Sequence, residues 1–128
     1  MDGEITAAEL DATLEEDPPL LVDIRNPASF ARVRIPGSVN LPLAELSADV
    51  TRFDGEDHVV TVCPHGKASV RAARLIGSYE GFDGRVESLA GGLEGWDGRV
   101  DRGSPGETEV ATSDSRGADA SGGRDAPF

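Results

Sequence analysis

The sequence predicts an α/β domain whose mostly parallel sheet is covered by helices on both faces. Short apolar runs typical of buried strands alternate with segments of helical spacing, which is the pattern of such a sheet. The chain has 128 residues, enough for one domain that buries a core without disulfides or metals.

The first predicted helix spans residues 7–16. Thr6 and Glu9 have the spacing of a capping box, and Leu10 and Leu14 follow on one helical face. Further along, Asn26 followed by proline is typical of an N-cap with proline at the first helical position. The remaining elements are strands at 20–24, 38–41, 58–62 and 85–89, and helices at 27–30 and 69–78.

Composition narrows the class of protein. The formal net charge of −12 disfavours binding to nucleic acid or to an anionic membrane, and no run of eighteen apolar residues predicts a membrane span. The acidic N-terminus lacks the features of a signal peptide, so we expect a cytoplasmic protein. The acidic, lysine-poor composition resembles that of halophile proteins, in which salt screens like charges.

The composition changes near Gly103. Residues 104–128 contain only Val110 and Phe128 as large apolar side chains, which cannot build a core. The sequence therefore predicts a folded domain over 1–103 and an acidic, low-complexity, disordered tail over 104–128. The alternative is a docking segment that folds on a partner.

The candidate site is the segment TVCPHGKAS, which holds the only cysteine, Cys63, and the only lysine, Lys67. Cys63 follows a predicted strand and precedes a tight loop and a helix, and ligands bind at such strand ends in α/β sheets. Gly66 permits a positive φ, which would turn backbone N–H groups inward as an anion-binding nest. This nest and the helix N-terminus would stabilise a thiolate, and Lys67 would attract an incoming anion.

Each of these residues also has a structural interpretation. Cys63 could be an inert buried thiol, Lys67 a solvated charge, and His65 an exposed side chain rather than an anion donor. Ser69 is interpreted first as the N-cap of the helix and second as a hydroxyl that contacts an anion. His58 has no predicted partner and is interpreted as structural.

Four segments in order resemble the single-domain rhodanese family of thiosulfate sulfurtransferases: LLVDIRNPASF, RIPGSVNLP, VCPHGKAS and SLAGGLEGW. The resemblance implies a five-stranded sheet and a Cys63 nucleophile that carries sulfane sulfur as a persulfide. The residues that would form the sulfur cradle are Pro64, His65, Gly66, Lys67, Ala68 and Ser69. It implies thiosulfate or another sulfane-sulfur donor, cyanide or a thiol as acceptor, and a sulfur-relay protein as a further partner, with no metal or organic cofactor.

The chain departs from the family at two positions. Ala68 stands where many rhodaneses carry arginine, which leaves substrate preference open, and Arg34 stands where many carry histidine, a change expected to concern the fold. Asp23 and Arg25 are interpreted as a structural pair supporting the site, with direct substrate contact as the alternative. The segment containing Gly91, Gly92 and Trp96 is interpreted as a turn and a core anchor.

Two other functions compete with the sulfurtransferase. A cysteine phosphatase or arsenate reductase also uses a strand-end thiolate, but its loop ends in an arginine six residues after the cysteine, where this chain has Ser69. A persulfide carrier without turnover, or a partner-binding module, would use the same domain. Sequence does not separate the carrier from the enzyme.

Overall fold

The computed structural model describes residues 3–103, which form a five-stranded parallel sheet and a two-stranded antiparallel sheet. The strands of the larger sheet, in chain order, are β1 (Glu4–Ile5), β2 (Leu20–Asp23), β4 (Val39–Asn40), β5 (His58–Val62) and β6 (Arg85–Leu89). Their spatial order is β1-β6-β5-β2-β4, so β5 is central and its carboxyl end lies at the middle of one sheet edge. The smaller sheet pairs β3 (Val33–Arg34) with β7 (Asp101–Arg102).

Four α-helices connect these strands: α1 (Ala7–Glu16), α2 (Pro27–Arg32), α3 (Leu43–Leu46) and α4 (Ala68–Ser78). The predicted capping box is present, since Thr6 Oγ1 accepts from Glu9 N and Glu9 Oε1 accepts from Thr6 N. Asn26 caps α2 by accepting from the backbone N–H of Ser29 at 2.8 Å. These local side-chain bonds explain why both helices begin where the sequence predicts.

The parallel sheet is buried on both faces. On one face Val22 and Val59 pack with residues of α3 and α4, including Ile76. On the other face Val60 packs with Leu10 of α1. Strands buried on both faces have continuous apolar runs in the sequence, which is the pattern from which this sheet was predicted. The predicted architecture is confirmed.

Several details differ from the sequence-based expectation, and no element was predicted at the positions of β1 and α3. Strand β2 ends one residue early and β4 contains two residues, because only Val39 and Asn40 pair with β2. Helix α2 extends to Arg32. The β3–β7 sheet was not predicted, because it joins residues that are far apart in the chain and carry no strand pattern of their own.

The predicted tail, residues 104–128, lies outside the described residues. Within residues 3–103, no helix has the length and apolar character needed to cross a bilayer. In the same range, no three His, Cys, Asp or Glu side chains come together as a metal-binding group.

Candidate active site

Cys63 lies immediately after β5, at the carboxyl end of the central strand, with 2% of its surface exposed. The chain then turns through Gly66, whose φ of +84° confirms the predicted positive value. This turn directs the backbone N–H of Gly66 at Sγ of Cys63, with a nitrogen–sulfur distance of 3.0 Å. A left-handed φ at this position is what glycine adopts at little cost.

The surroundings of Cys63 favour the thiolate. Burial raises the pKa of Cys63, but hydrogen bonds from the Ser69 hydroxyl and from the backbone N–H groups of Ser69, Gly66 and His65 outweigh it, so the pKa lies below its ordinary value. A buried sulfur with several converging donors is stabilised as an anion, because hydrogen bonds to the charged form favour that form.

Ser69 is not the helix N-cap, so that prediction is wrong. Helix α4 begins at Ala68, its N-cap residue is Lys67, and no side chain caps it. The Ser69 hydroxyl points inward instead, with Oγ 3.3 Å from Sγ of Cys63, and the residue is fully buried. The sulfur of Cys63 thus lies where a side-chain cap would otherwise bind the first-turn amides.

Two further buried hydroxyls support Ser69, and sequence reasoning missed both. Ser88 of β6 places its Oγ 2.6 Å from Oγ of Ser69, and Thr61 of β5 donates from Oγ1 to the Ser69 carbonyl at 2.7 Å. All three residues have 0% relative exposure. In the sequence, Thr61 and Ser88 are recognisable only as polar residues within buried strands. That pattern does not show which residues their hydroxyls contact.

The segment after β6 clamps the loop from the other side. Leu93 N donates to the Cys63 carbonyl at 2.8 Å, and Glu94 N donates to the Pro64 carbonyl at 3.0 Å. Gly92 has φ +62° and ψ −164°, and a Cβ there would collide with the Cys63 carbonyl and the backbone of Pro64. Glycine is therefore required, because two stretches of backbone pass too closely for any side chain between them.

The side chains at the mouth of the loop are exposed. Lys67 and Pro64 face solvent, Ala68 is half-buried, and no ion pair of Lys67 is present within residues 3–103. His65 is 61% exposed, and its Nδ1 lies 3.2 Å from Oε1 of Glu94. Both interpretations of Lys67, as a solvated charge and as an anion-attracting group, therefore remain compatible with its position.

Asp23 and Arg25 form a buried, bidentate ion pair beside the site. Nη2 of Arg25 donates to Oδ2 of Asp23 at 2.7 Å and to the Val33 carbonyl at 2.6 Å, and Nε donates to both carboxylate oxygens. Asp23 is paired in register with Val62, the residue before Cys63. The pair therefore ties the neighbouring strand end to β3, and its role in supporting the site stays a prediction.

Two residues without a predicted partner have one in the structure. Nε2 of His58 lies 2.8 Å from Oε1 of Glu87 on the adjacent strand, away from the loop. Nη1 of Arg34 donates to the carbonyls of Phe30, Ala31 and Gly103. Both bind parts of the fold, as expected of structural residues.

Several known proteins are similar to this chain. Thiosulfate sulfurtransferase GlpE of Pseudomonas fluorescens (strain Pf0-1) is 39% identical over 69 residues, which is 54% of this chain and 62% of that protein. Adenylyltransferase and sulfurtransferase MOCS3 of Drosophila persimilis is 35% identical over 82 residues, which is 59% of this chain and 18% of that protein. The chain thus spans less than two thirds of the length of both curated relatives.

Among solved structures, the human single-domain sulfurtransferase TSTD1 superposes with a TM-score of 0.62 at 26% identity. The superposition covers 73% of this chain and 93% of TSTD1. The family described as rhodanese-like domain matches residues 6–99, a range that contains every site residue described above. The chain therefore belongs to the rhodanese-like domain family, as the four sequence segments predicted.

Proposed function

We propose that this chain is a thiosulfate sulfurtransferase in which Cys63 carries sulfane sulfur as a persulfide. The observation that carries the proposal is the convergence of the Gly66 amide and the Ser69 hydroxyl on a buried cysteine whose pKa is lowered. A thiolate is the nucleophilic form of cysteine, and these donors favour it. The sulfurtransferase relatives support the same chemistry.

The reaction follows from this arrangement as a double displacement. The Cys63 thiolate attacks the sulfane sulfur of thiosulfate, a sulfur–sulfur bond forms to Sγ, and the bond to sulfite breaks, with sulfite taking the electron pair. Cyanide or a thiolate then attacks the outer sulfur and returns the electron pair to Cys63. Oxidation states balance within the sulfur atoms, so these two steps consume no external oxidant or reductant.

The other residues of the loop bind the sulfur or attract the sulfur donor. The backbone of Pro64, His65, Gly66, Ala68 and Ser69 surrounds the sulfur, while the Lys67 ammonium attracts the anionic donor to the mouth of the loop. Asp23 and Arg25 hold the strand end that carries the loop. A reducing compartment such as the cytoplasm suits this chemistry, because the single thiol must stay free.

Mass spectrometry tests the first displacement directly. After treatment with thiosulfate, Cys63 should gain about 32 Da, the mass of one sulfur atom, and cyanide should then remove it as thiocyanate. Repeated formation of thiocyanate, beyond one equivalent per chain, distinguishes an enzyme from a carrier that is discharged once. A protein that never acquires the added sulfur contradicts the proposal and leaves the partner-binding module.

A further inference from the structure

A groove of about 550 Å³ runs alongside the active-site loop. Its lining includes Pro64, the residue after Cys63, and Arg102 of β7. Its cationic lining consists of Arg25, Arg32 and Arg102, and its acidic lining of Glu94. We call this surface the arginine groove.

The charge of the arginine groove is opposite to that of the chain. The protein has 24 acidic residues against 12 basic ones, whereas the groove has three arginines and one glutamate. Arg25 is neutralised by Asp23, and Glu94 lies against His65. Within residues 3–103, neither Arg32 nor Arg102 has an ion pair with a carboxylate, so two guanidinium groups remain available to an anion.

The fold brings these two cations to one surface. Strand β3 follows α2 directly, and Val33 of β3 pairs in register with Arg102, so Arg32 and Arg102 reach the same groove from distant parts of the chain. Like charges held on one surface repel each other unless an anion compensates them. Their common placement beside the loop therefore indicates an anionic ligand.

The size and lining of the arginine groove indicate an organic ligand larger than thiosulfate. Its volume is typical of sites for organic molecules, which span roughly 300–1,000 Å³. The lining also contains apolar residues, which include Leu93, Trp96 and Val100. A ligand that fills this groove contacts both cationic and apolar residues, so carboxylates and apolar groups in one molecule would suit it.

We propose that the arginine groove binds an acidic peptide segment of the protein that accepts sulfur from Cys63. This inference rests on the proposed sulfurtransferase function. Carboxylates of the peptide pair with Arg32 and Arg102, and its cysteine passes Pro64 to reach the persulfide. The acceptor thiolate bonds to the outer sulfur, the bond from that sulfur to Sγ breaks, and the electron pair returns to Cys63.

The binding step can be measured without sulfur chemistry, because the single tryptophan, Trp96, lies in the groove wall. The probes are two short peptides that carry serine in place of the reactive cysteine, one with two glutamates and one with two glutamines. Tryptophan fluorescence at low salt should show the acidic peptide binding about tenfold more tightly, as complementary charges give such preferences. Equal affinities for the two peptides would overturn the proposal.

Variants of the full chain locate the effect. The double variant Arg32→Gln/Arg102→Gln should lose the tenfold preference, while Arg71→Gln/Arg74→Gln, which removes two exposed arginines from α4, should keep it. With cysteine-containing peptides, the rate of sulfur transfer to peptide divided by that to cyanide should fall about tenfold in the first variant only. A preference that survives the first variant, or is lost in the second, places the peptide elsewhere and overturns the proposal.

Two further outcomes would identify a different occupant of the groove or a failure of the proposed function. The chain's own segment after Gly103 contains Glu107 and Glu109. If Glu107→Gln/Glu109→Gln strengthens peptide binding, that segment is the occupant and the partner is excluded. If the acidic peptide binds through Arg32 and Arg102 but Cys63 never acquires sulfur, the proposed function fails and the groove remains a peptide-binding site.

Discussion

The side-chain oxygens of Ser69 and Ser88 lie 2.6 Å apart in the protein interior, and Oγ of Ser69 lies 3.3 Å from Sγ of Cys63. The two hydroxyls form a chain to the sulfur: the Cys63 thiol donates to Oγ of Ser69, the thiolate can instead accept from it, and Ser88 can donate to Ser69. When Cys63 is a thiolate, both hydrogen bonds can point toward the negative charge. Ser88 thus acts on the sulfur through Ser69 without touching it.

Ser88→Ala should therefore raise the pKa of Cys63. The pKa of Cys63 is lowered in the wild type, so its reactive thiolate persists to a lower pH than a free cysteine with a pKa of about 8.5 and is lost as the pH falls through the lowered value. Without Ser88, the Ser69 hydroxyl loses the donor that polarises it, and the midpoint of alkylation against pH should move upward. Iodoacetamide alkylation measured across pH gives this midpoint.

Ser78→Ala is the matched control for that measurement, because the Ser78 hydroxyl is exposed and donates to the Leu75 carbonyl at the far end of α4. Its alkylation midpoint should equal that of the wild type. A wild-type midpoint at or above the free-cysteine value would contradict the stabilised thiolate. An unchanged midpoint in Ser88→Ala would show that the second serine only fills space.

Lys67→Ala should raise the apparent KM for thiosulfate by about threefold to tenfold at low salt, because one charge near a dianion contributes roughly 1 kcal/mol in a solvated site. The alkylation midpoint of Cys63 should stay low, since the donors that lower its pKa are Ser69, Gly66 and His65. Steady-state kinetics with and without added salt measure the first effect. Arg71→Ala, one turn into α4, is the control cation.

If KM is unchanged at low salt, Lys67 is a solvated charge with no part in binding. If the alkylation midpoint instead returns to the free value in Lys67→Ala, the lysine rather than the backbone stabilises the thiolate. The two measurements thus separate attraction of the substrate from stabilisation of the sulfur.

Gly92→Ala should destabilise the protein by at least about 2 kcal/mol and reduce turnover, because Gly92 combines a glycine-only conformation with direct backbone contact to the active-site loop. The added Cβ would push the loop that holds Cys63 away from the segment that clamps it. Urea unfolding and thiocyanate formation measure the two effects. Gly95→Ala, where a Cβ would meet open space, should change neither by a comparable amount.

Cys63→Ser should reduce thiosulfate-dependent turnover by more than about 1,000-fold while the domain stays folded, since a serine hydroxyl fits the site but is a far weaker nucleophile at neutral pH. Thiocyanate formation measures turnover, and circular dichroism with thermal unfolding measures the fold. Turnover retained by the purified variant would refute the persulfide mechanism.

The elements that the sequence located are those with local causes. Helix α1 begins at its capping box, α2 begins at Asn26, and β5 is a run of apolar residues, so each could be predicted from neighbouring residues. The position of Cys63 at a strand end, followed by a glycine with positive φ, could likewise be predicted from the sequence, because the strand, turn and helix signals are contiguous.

The sequence by itself therefore determined the family, the fold class and the position of the Cys63 thiol at the end of a central strand. Only the tertiary structure decided what surrounds that thiol. In the folded chain the Ser69 hydroxyl points into the core and contacts Ser88, and Gly92 packs against the loop that follows Cys63. Arg32 and Arg102 line the same groove. These contacts join residues that are separated in the chain and meet only when the strands pair, so no local pattern encodes them.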